Sequence, residues 1–326
     1  MKTTVLGAGA WGTALARLLS PTGHAVTLWG HNAAHLDEMK HTRRNEQYLP
    51  GVELPPDWTY EADAVKAVAG SELVVVAVPS RAFREVTACL ADFGGIAVSV
   101  TKGIEFGTGL TMTGILQTTA PHAKLAALSG PTLAAEVARS VPTACVAASR
   151  DTDTAQAVQL AFHRPTFRVY TSTDLLGVEL GGALKNVVAI AAGVGDGMGF
   201  GDNSKAGLIT RGIAEVSRLG VACGAQAETF SGLGGLGDLT VTCFSKLSRN
   251  RGFGERLGRG EQLEEILASM VAVAEGYPTA RAAHVLAHRL GVYTPIIDEV
   301  HAVLYQDKPP MKALLDLITR DSKAES

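Results

Sequence analysis

Short apolar and β-branched runs recur through the first half of the chain at 3–6, 25–29, 73–78, 96–100, 125–128, 143–147 and 167–170, with longer helix-like stretches between them. That rhythm predicts βαβ units around a parallel sheet. Beyond about Thr173 the runs stop and helical spacing takes over, as in Leu180, Leu184, Val187, Val188, Ala191 and Val194, and again in Ile209, Ile213, Val216 and Leu219. Thr171-Ser172-Thr173-Asp174 offers capping residues for a new helix. The expected division is an α/β domain over 1–173 and an all-α domain over 174–326.

Composition narrows the function classes. With 326 residues, 46% of them hydrophobic, the chain exceeds the size at which one core usually keeps growing. A net charge of -3 from 29 basic and 32 acidic residues supplies no global field for nucleic acid or an anionic membrane, so the expected partner is a small molecule. Cys89, Cys145, Cys223 and Cys243 stand far apart, which suits a reducing cytoplasm better than a disulfide framework. The apolar stretch 187–194 is too short for a membrane span and reads as a buried helix. The tail 321–326 is polar and expected to fray.

Gly7-Ala8-Gly9-Ala10-Trp11-Gly12 follows the first predicted strand and opens a helix-like segment. Gly7 would permit a tight turn, Gly9 the approach of a pyrophosphate to the backbone, and Gly12 close helix packing. A glycine turn alone is a weak signal, but its place at the first βα turn points to dinucleotide binding and makes the first domain an α/β Rossmann domain. The second strand ends in Leu28-Trp29-Gly30-His31 without the carboxylate that accepts hydrogen bonds from a ribose 2′-hydroxyl. NADP is therefore expected alongside NAD. Arg43-Arg44 could meet a 2′-phosphate or equally form a solvated loop face. At a later strand end, Lys102 precedes Gly103; it is either a surface lysine or a group in the cofactor crevice, which the glycine favours.

Chemistry-bearing residues also interrupt the helical half. Gly181 and Gly182 each cost a helix roughly 1 kcal/mol relative to alanine, so something should approach that face. Lys185-Asn186 follows them. The lysine either snorkels to the surface or, half-buried, has its amine pKa lowered into a range that suits proton transfer. Asp238 ends a glycine-rich bend, where it could cap a helix or orient Lys185. Ser248-Arg249-Asn250-Arg251 precedes a helix-like stretch at 252–257 and is either a phosphate clamp or an exposed basic cap.

Taken in order, Gly-Ala-Gly-Ala-Trp-Gly-Thr-Ala-Leu-Ala at 7–16, Leu-Trp-Gly-His at 28–31, Thr-Lys-Gly at 101–103, Ser-Gly-Pro-Thr at 129–132, Gly-Gly-Ala-Leu-Lys-Asn at 181–186, Ile-Thr-Arg-Gly at 209–212, Gly-Leu-Gly-Asp-Leu at 235–239 and Ser-Arg-Asn at 248–250 resemble glycerol-3-phosphate dehydrogenases of the bacterial NAD(P)-dependent type over essentially the whole chain. The resemblance implies reversible reduction of dihydroxyacetone phosphate to sn-glycerol 3-phosphate for phospholipid synthesis, by a homodimer. It implies that Lys185 transfers the proton and that Lys102 contacts both cofactor and substrate. Gly130 and Thr132 would line the substrate site, with Asn186, Asp238, Ser248, Arg249 and Asn250 also on substrate and Arg249 reaching the cofactor. Ala10, Trp11, His31, Ala134, Val273 and Glu275 would lie along the dinucleotide. Ala10 replaces a serine found in many relatives and lacks its hydroxyl; Leu133 replaces a phenylalanine.

Rival readings within the same superfamily are a ketopantoate reductase or a 6-phosphogluconate dehydrogenase, whose carboxylate substrates could use the same Arg249 and Lys185. A non-catalytic NAD(P) sensor has no need of the proton-transfer group. His284 and His288, four apart, have zinc-ligand spacing without a third ligand beside them, as do His31 and His35, so no metal is expected.

Overall fold

The computed structural model describes residues 1–270 and 274–319. Two compact units emerge, one of Met1–Lys102 with Leu110–Glu179 and one of Gly103–Gly109 with Leu180–Ser326. By compactness, the segment 103–109 thus groups with the second unit and 174–179 with the first, and the division falls inside the helix Leu175–Gly197.

The strands are β1 (Lys2–Leu6), β2 (Ala25–Trp29), β3 (Arg44–Asn45), β4 (Leu49–Glu53), β5 (Thr59–Glu61), β6 (Leu73–Val76), β7 (Ile96–Ser99), β8 (Lys124–Ser129), β9 (Thr143–Ala148) and β10 (Phe167–Ser172). Among the described residues, eight of them form one sheet in the order β10-β9-β8-β7-β6-β1-β2-β5. Successive side chains point to opposite faces of a strand. Val5, Leu28, Val75 and Val98 accordingly enter one core with Leu15 and Leu19 of the helix Ala10–Leu19, whereas Leu6, Val74, Val76 and Ala97 enter another with Ile115 and Leu116 of the helix Met112–Thr119. Burial on both faces explains why these strands read as continuous apolar runs. The strand order reverses at β1, which is flanked by β2 and β6, and such a switch point opens a ligand crevice beyond the carboxyl ends of the strands.

The expectation of a parallel sheet needs one correction. β8 and β9 pair antiparallel, Leu128 opposite Ala147, and β10 follows β9 in parallel. Hydrophobic periodicity records which residues are buried but not the direction in which a strand runs. β5 and the β3–β4 hairpin escape the same reading because they are short and half polar.

The second unit is helical. Leu175–Gly197 is long and apolar enough to cross a membrane, yet 89% of its apolar window is buried inside the protein, as in a core helix. Its glycines admit backbone: a methyl group at Gly193 would collide with the Arg251 carbonyl, and one at Gly254, on the helix Arg249–Gly258, with the Ile190 carbonyl.

A buried acid ties two further helices. Glu215, 2% exposed on the helix Asp202–Ala222, accepts the backbone N–H groups of Ile296 (3.0 Å) and Ile297 (2.8 Å), in the first turn of Pro295–Tyr305. The preceding Thr294 makes no side-chain cap and leaves its hydroxyl buried without a hydrogen-bond partner, so capping falls to Glu215. Burial pushes the Glu215 carboxyl up from 4.5 to about 7, against the pull of those two hydrogen bonds. A folded-state pKa above the unfolded one means that the native state binds the extra proton. The contribution is therefore full below pH 4.5 and lost as pH rises through about 7, by on the order of 3 kcal/mol. Denaturant unfolding of Glu215→Gln should show a shallower loss of stability than the native chain across that pH window, and parallel curves would refute the assignment.

Candidate active site

In the first unit, β1 runs into Gly7, whose φ of 128° is open to glycine and strained for other residues. Gly9 is the N-cap of the helix Ala10–Leu19 and provides no side-chain cap; a methyl group built on it meets nothing within 4 Å. The helix start therefore faces open space with its first N–H groups uncapped by a side chain, and its first turn carries no acid. A methyl group at Gly12 would strike the Gly7 carbonyl, so turn and helix are in backbone contact. These are the features needed to admit the pyrophosphate of a dinucleotide. Ala10 and Trp11 lie half-buried in the first turn, and His31 is exposed just past β2.

Asn45, which the motif reading overlooked, braces this loop. Its buried amide donates to the Ala8 carbonyl (2.9 Å) and to Thr13 Oγ1 (2.8 Å). No sequence signal marks it, because its partners lie more than thirty residues away. Arg43 pairs with Glu53 at 2.8 Å and Arg44 with Glu46 at 3.2 Å, so both guanidiniums are engaged on a solvated face.

Lys102, at the β7 end of the same unit, donates from Nζ to the Gly130 carbonyl at 3.1 Å, and Thr132 Oγ1 donates to that carbonyl at the same distance. Gly130 has φ 144° and packs so tightly on β9 that a methyl group would come within 2.9 Å of Cys145 Cα. Ala134 begins the helix Ala134–Ala138 immediately beyond.

In the second unit the surface reading of Lys185 fails. Lys185 is 7% exposed, Asp238 1% and Thr242 4%. The Lys185 ammonium forms a very short ion pair with Asp238 Oδ1 and donates to Thr242 Oγ1 at 2.6 Å. Thr242 spends its own hydrogen on the Asp238 carbonyl at 2.6 Å, which turns an oxygen lone pair toward the lysine. The glycine-rich segment ends in the π-helical turn Leu233–Gly237, from which the helix Asp238–Phe244 starts. A methyl group at Gly181 would hit the Gly234 carbonyl, so this turn is what approaches the glycine face of the lysine helix. Thr242 was missed by the motif reading, although its spacing of four from Asp238 places both on one helical face.

Asn186 Oδ1 accepts from Asn250 Nδ2 (2.8 Å), and Asn250 Oδ1 accepts the Gly276 N–H (2.8 Å), which joins three segments through two buried amides. The helix that carries Asn250 starts at Arg249, three residues earlier than the pattern suggested, with Ser248 Oγ capping the Arg251 N–H at 3.2 Å. Arg251 is held by Asp196 and Glu255, whereas Arg249 keeps contact with solvent. Partial desolvation lowers the pKa of the Arg249 guanidinium and the nearby Glu275 charge opposes the shift, leaving a cation at the helix start. Val273 lies outside the described residues.

Two family descriptions match the chain: the N-terminus of NAD-dependent glycerol-3-phosphate dehydrogenase over residues 2–155 and its C-terminus over 174–315. Among relatives, the glycerol-3-phosphate dehydrogenase [NAD(P)+] of Chlorobium phaeobacteroides (strain BS1) is 48% identical over 331 residues, covering 100% of this chain and 99% of that protein. The protein of the same name from Anaeromyxobacter dehalogenans (strain 2CP-C) is 50% identical, with 100% of each covered. The crystal structure of glycerol-3-phosphate dehydrogenase from Coxiella burnetii superposes with a TM-score of 0.94 at 37% identity, covering 98% of this chain and 99% of that one. Matched in both halves and along its full length, the chain belongs to the NAD-dependent glycerol-3-phosphate dehydrogenase family.

Proposed function

We propose that this protein reversibly reduces dihydroxyacetone phosphate to sn-glycerol 3-phosphate with NAD(P)H, supplying glycerophospholipid synthesis. The observation that carries the reading is the buried Lys185 ammonium, held between Asp238 and Thr242 in a chain about half identical to glycerol-3-phosphate dehydrogenases. The nicotinamide supplies the hydride when bound, and the chain's own groups handle the proton and the phosphate.

In reduction, Lys185 Nζ gives a proton to the ketone oxygen as negative charge develops there; in oxidation the amine takes the hydroxyl proton back. Asp238 and Thr242 aim the nitrogen and offset the cost of burying its charge. Asn186 and Lys102 position the carbonyl, Gly130 and Thr132 shape the substrate site, and Ser248, Arg249 and Asn250 take the phosphate at a helix start. Anchoring the phosphate orients a small ketone for transfer. Gly7, Gly9, Ala10, Trp11, Gly12, His31, Ala134, Val273 and Glu275 hold the dinucleotide, with Lys102 and Arg249 touching it as well. NADP and NAD are both accepted because the β2 end carries no carboxylate to repel a 2′-phosphate. The enzyme works as a homodimer in the cytoplasm, where its four free thiols are at home.

The first test follows NADPH and NADH absorbance with dihydroxyacetone phosphate, ketopantoate and, with oxidised cofactor, 6-phosphogluconate. Turnover with dihydroxyacetone phosphate alone is expected. Lys185→Ala should lower kcat by at least roughly a thousandfold while leaving cofactor affinity nearly unchanged; near-normal turnover would remove the proton-transfer role. His31→Asp should raise the KM for NADPH at least about tenfold more than that for NADH, because a carboxylate there repels a 2′-phosphate. Equal changes for the two cofactors would show that His31 lies away from the ribose.

A further inference from the structure

The helices Gly276–Leu290 and Pro295–Tyr305 pack against one another in the second unit. His284 and His288 stand one turn apart on the first, and Asp298 in the first turn of the second lies between them. Asp298 Oδ1 is 2.7 Å from His284 Nδ1 and 3.4 Å from His288 Nε2. The ligand atoms of all three lie within 4.8 Å of one another. Tetrahedral zinc with bonds of about 2.0–2.2 Å needs donors roughly 3.4 Å apart, so small side-chain adjustments bring the three around one ion. The sequence shows no third donor near the histidine pair; the fold brings one in from the next helix.

The orientation of His284 is fixed from behind. His301 lies flat against it with ring centroids 3.9 Å apart and planes 5° from parallel, Tyr305 stacks on His301, and Tyr277 on Tyr305. His301 Nδ1 is buried without a hydrogen-bond partner, a polar atom that the stack alone does not satisfy. The front of the group is open: the side chains of His288 and Asp298 are 63% and 35% exposed. A cation can enter there and retain water at its remaining position.

We infer that His284, His288 and Asp298 form a binding site for a late first-row divalent cation, zinc being the commonest fit, which clips these two helices together. Two imidazoles and a carboxylate suit zinc, cobalt or nickel, whereas magnesium and calcium favour oxygen ligands. Because a carboxylate can only accept, His284 Nδ1 donates to Asp298 in the metal-free protein. On binding, Nδ1 becomes a ligand and its proton leaves that nitrogen, for Nε2 or for solvent.

The test uses the full chain without a polyhistidine tag, stripped with chelator, and titrates zinc by calorimetry alongside a magnesium control. Native protein should bind one zinc ion per chain with micromolar or tighter affinity and show a higher melting temperature in its presence. His288→Ala and Asp298→Asn should each weaken binding at least roughly tenfold while preserving the metal-free melting temperature and the reduction of dihydroxyacetone phosphate. Because His288 is exposed, its replacement leaves the helix packing intact. Zinc affinity unchanged in both variants, absence of zinc uptake by the native chain, or equal binding of magnesium would overturn the assignment.

Discussion

An ammonium buried in a protein interior is tolerable only when its charge is answered, and the second unit is organised around that demand at Lys185. Removing a charge from water costs several kcal/mol even after relaxation, and a partner repays the cost only with good geometry. Here the partners come from another helix, Asp238 and Thr242 on Asp238–Phe244. To bring that helix close, the chain uses glycine at Gly181 and a turn at 232–237 in which four of the six residues are glycine, where carbonyl packs against helix backbone. The intrinsic helix preference given up at these positions is recovered as a fixed position for one nitrogen atom. Asn186, the next residue on the same helix, is fixed by the same logic, its amide matched to Asn250 and through it to Gly276.

The first unit meets a different demand with similar means. An anion held by backbone N–H groups needs a helix start that no side chain obstructs, and Gly9 leaves that space open. The loop that presents it is braced from below by the amide of Asn45, a side chain with no part in the glycine motif. In both units the chemistry-bearing group is held by a polar contact from a distant part of the chain. A local motif therefore identifies the group but not its support.

Much of the architecture was legible in the residues because burial leaves a periodic trace. The seven apolar runs of the first half, the change to helical spacing past Thr173 and the glycine motif each follow from local sequence. The reversal of β9 and β10 does not, since a buried strand has the same composition in either direction. The environment of Lys185 was legible only in part: glycines announced a close approach, while pattern alone left the lysine free to point outward. Asn45 and Asp298 were beyond local reading because each matters through a partner that the fold supplies, whereas the spacing of Thr242 from Asp238 was visible and only its contact with Lys185 was not. Ordered across the whole chain, the motifs specified the family where single motifs could not.

The contacts between Leu175–Gly197 and Arg249–Gly258 have a consequence for how this scaffold can change. Gly193 and Gly254 place backbone directly against backbone, with no layer of side chains to thin or thicken. The separation of the helix that carries Lys185 from the helix that carries Arg249 is thus set by the thickness of the polypeptide itself. Such a junction works as a gauge block: it cannot be closed further, and any added carbon forces it apart. Any change in that spacing has to come from moving whole helices, because the junction holds no side chain whose size could be adjusted.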